Sequence, residues 1–108
     1  MKKVFSGLAI VALLCLAGSV SRAQDVANGE KVYKAKCGSC HGPDGKGETA
    51  AGKATKARDF ASDEVKKESD ATWTDIIVKG KNKMPGYDKK LTDAEVKDVV
   101  AYIRTLAK

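Results

Sequence analysis

Cys37-Gly38-Ser39-Cys40-His41 is the stretch on which the reading of this chain turns. At the end of a helix, Cys37, Cys40 and His41 are spaced i, i+3 and i+4, so they share one face. Two thiols on that face suit thioether bonds to the two vinyl groups of one haem, with the adjacent imidazole reaching the iron, and Cys-x-x-Cys-His is the attachment pattern of a c-type haem. Other uses of two cysteines explain less. A disulfide is common in exported proteins, and a redox dithiol uses the same spacing, but neither accounts for a histidine directly after the second cysteine. Zinc needs about four ligands, typically from two such clusters, and His41 is the one histidine in 108 residues. Haem iron that only passes electrons takes a second axial ligand, for which thioether sulfur is a standard choice. The methionines are Met1, in a segment expected to be removed, and Met84, just before Pro85. Met84 is therefore the expected sixth ligand.

Upstream of the motif, Lys2 and Lys3 precede an almost wholly apolar run from Val4 to Ala17, and Ser21-Arg22-Ala23 follows as a small-x-small cleavage site. This is the pattern of a secretory signal peptide. The apolar run is shorter than the roughly 20 residues of a membrane-spanning helix. An uncleaved anchor is the competing reading, and Cys15 raises a lipoprotein reading that Leu14 disfavours, because a small residue is wanted there. Residues 1–23 are thus expected to be a cleaved signal, 24–108 a single domain, and the working protein periplasmic.

A domain of that size builds a marginal core from protein alone, and a central prosthetic group supplies apolar surface the chain lacks. The formal charge of +6 includes Lys2, Lys3 and Arg22; without them 17 basic residues face 14 acidic ones, a net +3. That is far from the dense basic surface of a nucleic-acid binder, so no nucleic-acid partner is expected.

The remainder reads as helices joined by glycine- and lysine-rich loops, with no internal repeat and no alternating β-branched run. Asp25 can cap a first helix to about Lys36, with Val26, Gly29, Tyr33 and Cys37 on one side. Gly29 costs a helix roughly 1 kcal/mol relative to alanine, which suggests a close approach by another helix. Residues 42–58 read as an irregular loop, and Ser62-Asp63-Glu64 as the start of a short turn ending near Glu68. A middle helix is expected over Asp70 to Lys79, with Trp73, Ile76 and Ile77 at i, i+3 and i+4 and Gly80 ending it. Lys81 to Lys90 is a loop, since Met84 before a proline is biased to extended backbone. Thr92-Asp93-Ala94-Glu95 is a capping box, and Val96, Val99, Val100, Ile103 and Leu106 make an apolar stripe behind it. The expected fold is all-α, three main helices plus short turns around one covalently bound haem.

In this order of features the chain resembles the small class I cytochromes c, the bacterial single-haem carriers. The resemblance rests on Gly29 and Tyr33, on Cys37 to Gly42, on Gly45-Lys46-Gly47, on Trp73, on Gly80 to Tyr87 and on Val100-Ala101-Tyr102-Ile103. It implies haem c held by thioethers at Cys37 and Cys40, with His41 and Met84 as axial ligands, and Gly29 and Tyr33 crossing the last helix near Tyr102. One departure stands out. The family usually has a proline after the motif whose carbonyl orients the proximal imidazole, whereas Ala51 to Phe60 contains none; the acceptor is unidentified from sequence. Trp73 has two readings, a propionate donor or a half-buried core residue, and Asn82 has two, a donor to the Met84 sulfur or a turn residue.

The function expected is one-electron transfer by a monomeric carrier between redox protein donors and acceptors, rather than enzyme chemistry. Methionine ligation raises the potential relative to bis-histidine, and a lining of Val99, Ile103, Ile77 and Leu91 is expected to raise it further. Lys46, Lys79, Lys81, Lys83, Lys89 and Lys90 fall in loops around the expected haem edge, where they suit an acidic docking surface. Two alternatives remain: a gas-binding or peroxidase-like protein with Met84 displaced, and a form serving one membrane oxidase or reductase.

Overall fold

Side-chain caps decide where the helices of this chain begin. The computed structural model describes residues 24–108, with α1 over Val26–Lys36, α2 over Gly38–His41, α3 over Ala50–Thr55, α4 over Asp63–Lys66, α5 over Asp70–Lys79 and α6 over Asp93–Leu106. Asp25, Thr49, Ser62, Ser69 and Thr92 each accept a first-turn backbone N–H of α1, α3, α4, α5 and α6 respectively, which satisfies a donor that has no partner inside the helix. Among the described residues there is no strand, only an isolated bridge between Lys81 and Met84. The all-α expectation holds. The expected leader over residues 1–23 lies outside the described residues. No helix among them is long and apolar enough to cross a membrane.

Helices α1, α4, α5 and α6 arise where the sequence places them, α4 stopping two residues before Glu68. The stretch 42–58 differs from expectation, since it contains α3. Thr49 caps this helix at Gly52 N–H (2.9 Å) and Lys56 ends it in the left-handed conformation at φ 59°. Within it only Gly52 is buried, so no apolar period betrays it. Val26 also differs: it is 44 % exposed, and α1 instead buries Gly29, Val32 and Tyr33.

The core is made where α1 crosses α6. A Cβ on Gly29 would lie 2.0 Å from the carbonyl oxygen of Asp98 and 3.0 Å from Cβ of Tyr102, so the helices meet backbone to backbone and only glycine fits. Tyr33 packs against Tyr102 with the rings tilted at 56° and 5.3 Å between centroids, as the resemblance implies. Val96, Val99, Val100 and Ile103 of the terminal stripe are buried, each contributing about 2 kcal/mol of apolar transfer energy. Asp98 was not singled out by the sequence, yet it is fully buried. Its carboxylate accepts the Asp25 N–H (2.8 Å) and the Asn28 side-chain amide (2.9 Å), tying the start of α1 to α6.

Arg104 fastens the other side of α6. Its guanidinium lies 3.6 Å above the Trp73 ring and donates to the Glu68 carbonyl (2.6 Å), the Lys66 carbonyl (3.3 Å) and the Asp70 carboxylate (2.8 Å). The capping box of α6 is complete, with Thr92 Oγ1 accepting from Glu95 N–H (3.1 Å) and Glu95 Oε1 accepting from Thr92 N–H (2.9 Å). Thr92→Ala is expected to cost about 1 kcal/mol, read as a fall of about 4–8 °C in the melting midpoint by circular dichroism.

Candidate functional site

The Cys-x-x-Cys-His run forms its own short helix directly after α1. Cys37 closes α1 by donating its N–H to the Tyr33 carbonyl (2.8 Å), and its own carbonyl accepts from His41 N–H (3.0 Å) to start α2. Gly42 ends that turn, its N–H bonded to the Gly38 carbonyl at 2.8 Å. Cys37, Cys40 and His41 consequently line one wall of a cavity of about 540 Å³. Both cysteine side chains are half-buried. Burial pushes the unreacted Cys37 thiol up to about 11, with Cys40 beside it acting in the same sense.

His41 is held on two sides. Its ring stacks on Phe60, 4.4 Å between centroids with 22° between planes. Nδ1 lies 3.3 Å from the backbone carbonyl of Arg58. A carbonyl only accepts, so the proton sits on Nδ1 and Nε2 keeps its lone pair for a metal. Burial holds the imidazole below its ordinary pKa, against a smaller opposing effect of the Arg58 carbonyl. The ring is neutral at pH 7, the form that ligates. The Arg58 carbonyl is thus the acceptor that the sequence, lacking a proline in Ala51 to Phe60, left unnamed. No residue-type signal marks a backbone oxygen, whereas Phe60, the one aromatic between Tyr33 and Trp73, was open to recognition.

Met84 reaches the cavity from a different segment. After α5, Gly80 turns the chain at φ 82°, where a Cβ would lie 2.6 Å from the Met84 carbonyl. Lys81 and Met84 then bond to each other in both directions (3.1 and 2.9 Å). Asn82 lies between them in the left-handed conformation at φ 54°, which favours its turn reading. The loop folds back on α5 through Tyr87 N–H to the Ile77 carbonyl (2.8 Å), and the Tyr87 hydroxyl donates to the Lys36 carbonyl (3.0 Å) beside Cys37. On the far side, Lys83 Nζ donates to the Ala54 carbonyl at the end of α3 (3.4 Å). Tyr87 belongs to the loop the resemblance rests on, but its bond to Lys36 was not foreseen, and α3 was missed as part of the site.

The apolar wall between these groups includes Phe60, Val65, Trp73, Ile76, Ile77 and Ile103. Ile77 and Ile103 lie where expected. Val99 does not line the cavity but is wholly buried in the core, and Leu91 packs at the edge of that core instead. Trp73 is buried and its indole N–H donates to the Val65 carbonyl (3.2 Å), the core reading of that residue. The basic residues on the cavity wall are Lys36, Lys56, Arg58, Lys81 and Lys83. Only Lys81 and Lys83 belong to the expected set; Lys79 pairs with Asp75 at 3.0 Å and Lys90 lies 5.6 Å over the Tyr87 ring. Among the described residues no three of His, Cys, Asp and Glu gather as a metal-ion site. An apolar cavity in the size range of cofactor pockets, with two thiols, a neutral imidazole and a thioether on its wall, fits a haem.

The family model described as "Cytochrome C oxidase, cbb3-type, subunit III" matches residues 24–103. Cytochrome c6 of Nostoc sp. is 34 % identical over 105 residues, covering 95 % of this chain and 92 % of that protein. Cytochrome c6 of Thermosynechococcus vestitus is 31 % identical over 109 residues, covering 95 % and 91 %. Among solved structures, the KustC0563 c-type cytochrome superposes with a TM-score of 0.68 at 38 % identity, over 74 % of this chain and 98 % of that one.

Proposed function

The chain belongs to the single-haem class I cytochrome c family, and from that premise we propose that it is an exported carrier holding its iron between His41 and Met84. It is a small electron carrier rather than an enzyme, with one covalently attached haem c. When bound, the haem iron supplies the one-electron couple. The rest of the mechanism is work done by the chain's own residues.

Cys37 and Cys40 would hold the haem, each S–H adding across one vinyl group, so that no atom leaves and the attachment is permanent. His41, neutral and hydrogen-bonded through Nδ1, presents Nε2. Met84 presents its sulfur from the loop that Gly80, Tyr87 and Lys83 hold in place. Neutral sulfur favours the reduced state, and the apolar wall lowers the local dielectric in the same direction. Neither ligand changes charge in the cycle, so little reorganisation opposes transfer. Lys36, Lys56, Lys81 and Lys83 around the cavity favour a redox partner with an acidic face and association that slows with salt. Residues 1–23 are read as the export signal, which brings the domain to the periplasm.

One observation carries this reading: Cys37, Cys40, His41 and Met84, from two distant segments, line the same cavity. The test is the visible spectrum of the dithionite-reduced, haem-loaded protein before and after carbon monoxide. A sharp six-coordinate c-type spectrum that ignores the gas is expected. In Met84→Ala the haem stays attached, carbon monoxide binds and the potential falls; an unaltered spectrum in that variant removes Met84 from the ligand set. A ready response of the unmodified protein would move the function to gas binding or catalysis.

The description of the matching family model as an oxidase subunit supports a second reading, in which the domain serves one membrane oxidase. Stable co-purification with such a complex from native membranes favours it, and recovery of free carrier from the periplasmic fraction counts against it.

A further inference from the structure

The Arg58 carbonyl that faces His41 lies in a stretch, residues 57–59, that belongs to no helix or strand. Its neighbours are fixed by backbone bonds, Ala57 N–H to the Gly52 carbonyl (2.8 Å) and Phe60 N–H to the Gly45 carbonyl (3.0 Å). Those bonds leave the orientation of the intervening carbonyl to Arg58 itself. Proline would restrain that residue through its ring, and Ala51 to Phe60 has no proline.

The Arg58 side chain is restrained in another way. Its two terminal nitrogens donate to the two carboxylate oxygens of Glu68, each at 3.0 Å. The pair is largely sheltered, with side chains 32 % and 21 % exposed, unlike the open pairs Lys34–Glu30 and Lys79–Asp75. A sheltered fork-on-fork pair keeps geometry that an exposed pair does not. Glu68 is fixed in its turn, since Arg104 of α6 donates to its carbonyl and to that of Lys66. A continuous set of contacts therefore runs from α6 through Arg104, Glu68 and Arg58 to Nδ1 of His41. Because Glu68 neutralises Arg58, the device supplies orientation more than net field.

Resting on His41 as the proximal ligand, we propose that the Arg58–Glu68 ion pair is a positioning clamp for that imidazole, replacing by a charged fork the rigidity a proline ring would supply. A firm Nδ1–H···O=C bond makes the imidazole a stronger donor. Loosening it weakens donation to the oxidised iron, so the potential rises.

Two double variants with the same net charge test the clamp in the haem-loaded, reduced protein: Arg58→Gln/Glu68→Gln, and Arg58→Pro/Glu68→Gln. The readouts are solvent exchange of the His41 Nδ1 proton by NMR and the midpoint potential. The Gln/Gln variant should exchange at least about fivefold faster, the factor that one ordinary hydrogen bond represents, and its potential should rise. The Pro/Gln variant should return both to near the unmodified values. Equal behaviour of the two variants overturns the clamp, whatever their melting points. Glu68→Asp keeps the charge but withdraws the fork by one methylene, so it covers the case in which a double variant does not fold. It should exchange faster than the unmodified protein, and unchanged exchange overturns the proposal. Failure of the ligand reading looks different: the His41 ring signals of the unmodified protein would lack the large ring-current displacement of a group bound over a haem.

Discussion

His41→Ala, produced in a host able to mature c-type haem, is expected to lose the low-spin spectrum entirely while Cys37 and Cys40 can still retain the haem on a denaturing gel. His41 is the one histidine of the chain, so no second imidazole can take its place. The cavity wall offers no other neutral nitrogen in the same position: its remaining nitrogen side chains are those of the cations Lys36, Lys56, Arg58, Lys81 and Lys83, of Asn82 and of the Trp73 indole, a donor already bonded to Val65. Outer partners of a ligand change affinity by about 10- to 100-fold; deleting the ligand itself removes the coordination. Iron left with Met84 alone should become high-spin, bind carbon monoxide and stain with haem-specific reagents much as before. Cys37→Ser and Cys40→Ser give the complementary result, a near-normal iron spectrum with one thioether and weakened retention on the gel. A low-spin spectrum unchanged in His41→Ala would show that the proximal ligand lies elsewhere.

What could be read from the sequence divides along physical lines. Helices backed by an apolar period, such as α5 with Trp73 and Ile77 or α6 behind its capping box, were legible, although the Ser69 cap of α5 was not singled out. In both, local hydrogen bonding and burial point the same way. Helix α3 was not legible, because its sequence Ala-Ala-Gly-Lys-Ala-Thr is held by Thr49 and by a close approach of Gly52 to the Cys40 and Gly47 carbonyls, with no apolar side chain to mark the buried face. The chemistry of the site followed from side-chain types, so Cys37, Cys40, His41 and Met84 could be named at once. What orients them could not. The acceptor for His41 is a main-chain oxygen on Arg58, and the strap over the Met84 loop is a Tyr87 hydroxyl on the Lys36 carbonyl. Each pairs residues far apart in sequence through a group every residue possesses. The lining was misjudged for a related reason. Val99 and Ile103 lie four apart on α6 and read alike in a pattern, yet one is buried away from the cavity and the other lines it.

The same distinction gives Gly29 its diagnostic value, because its local and its tertiary preferences have opposite signs. In an isolated or surface helix, replacing glycine by alanine stabilises by about 1 kcal/mol. At the α1–α6 crossing an alanine Cβ would lie 2.0 Å from the Asp98 carbonyl oxygen and 2.6 Å from its carbon. The obstacle is backbone, and it cannot rotate away like a flexible side chain. Asp98 cannot recede either without loosening its bonds to the Asp25 N–H and the Asn28 amide. The helices must separate, which opens the contact between Tyr33 and Tyr102 and loosens the core around the buried Val99 and Val100. Overpacking of this kind costs about 1–3 kcal/mol or more, and in a domain of this size each kcal/mol lowers the melting midpoint by about 4–8 °C. Gly29→Ala should therefore melt well below the unmodified protein by circular dichroism at 222 nm, with its haem still attached, since Cys37 and Cys40 lie beyond the end of α1. Gly29→Val should fall further, its β-branch adding atoms against the same carbonyl. A midpoint that rises in Gly29→Ala would mean that α1 and α6 do not meet at this residue, and the crossing at the centre of the core would have to be redrawn.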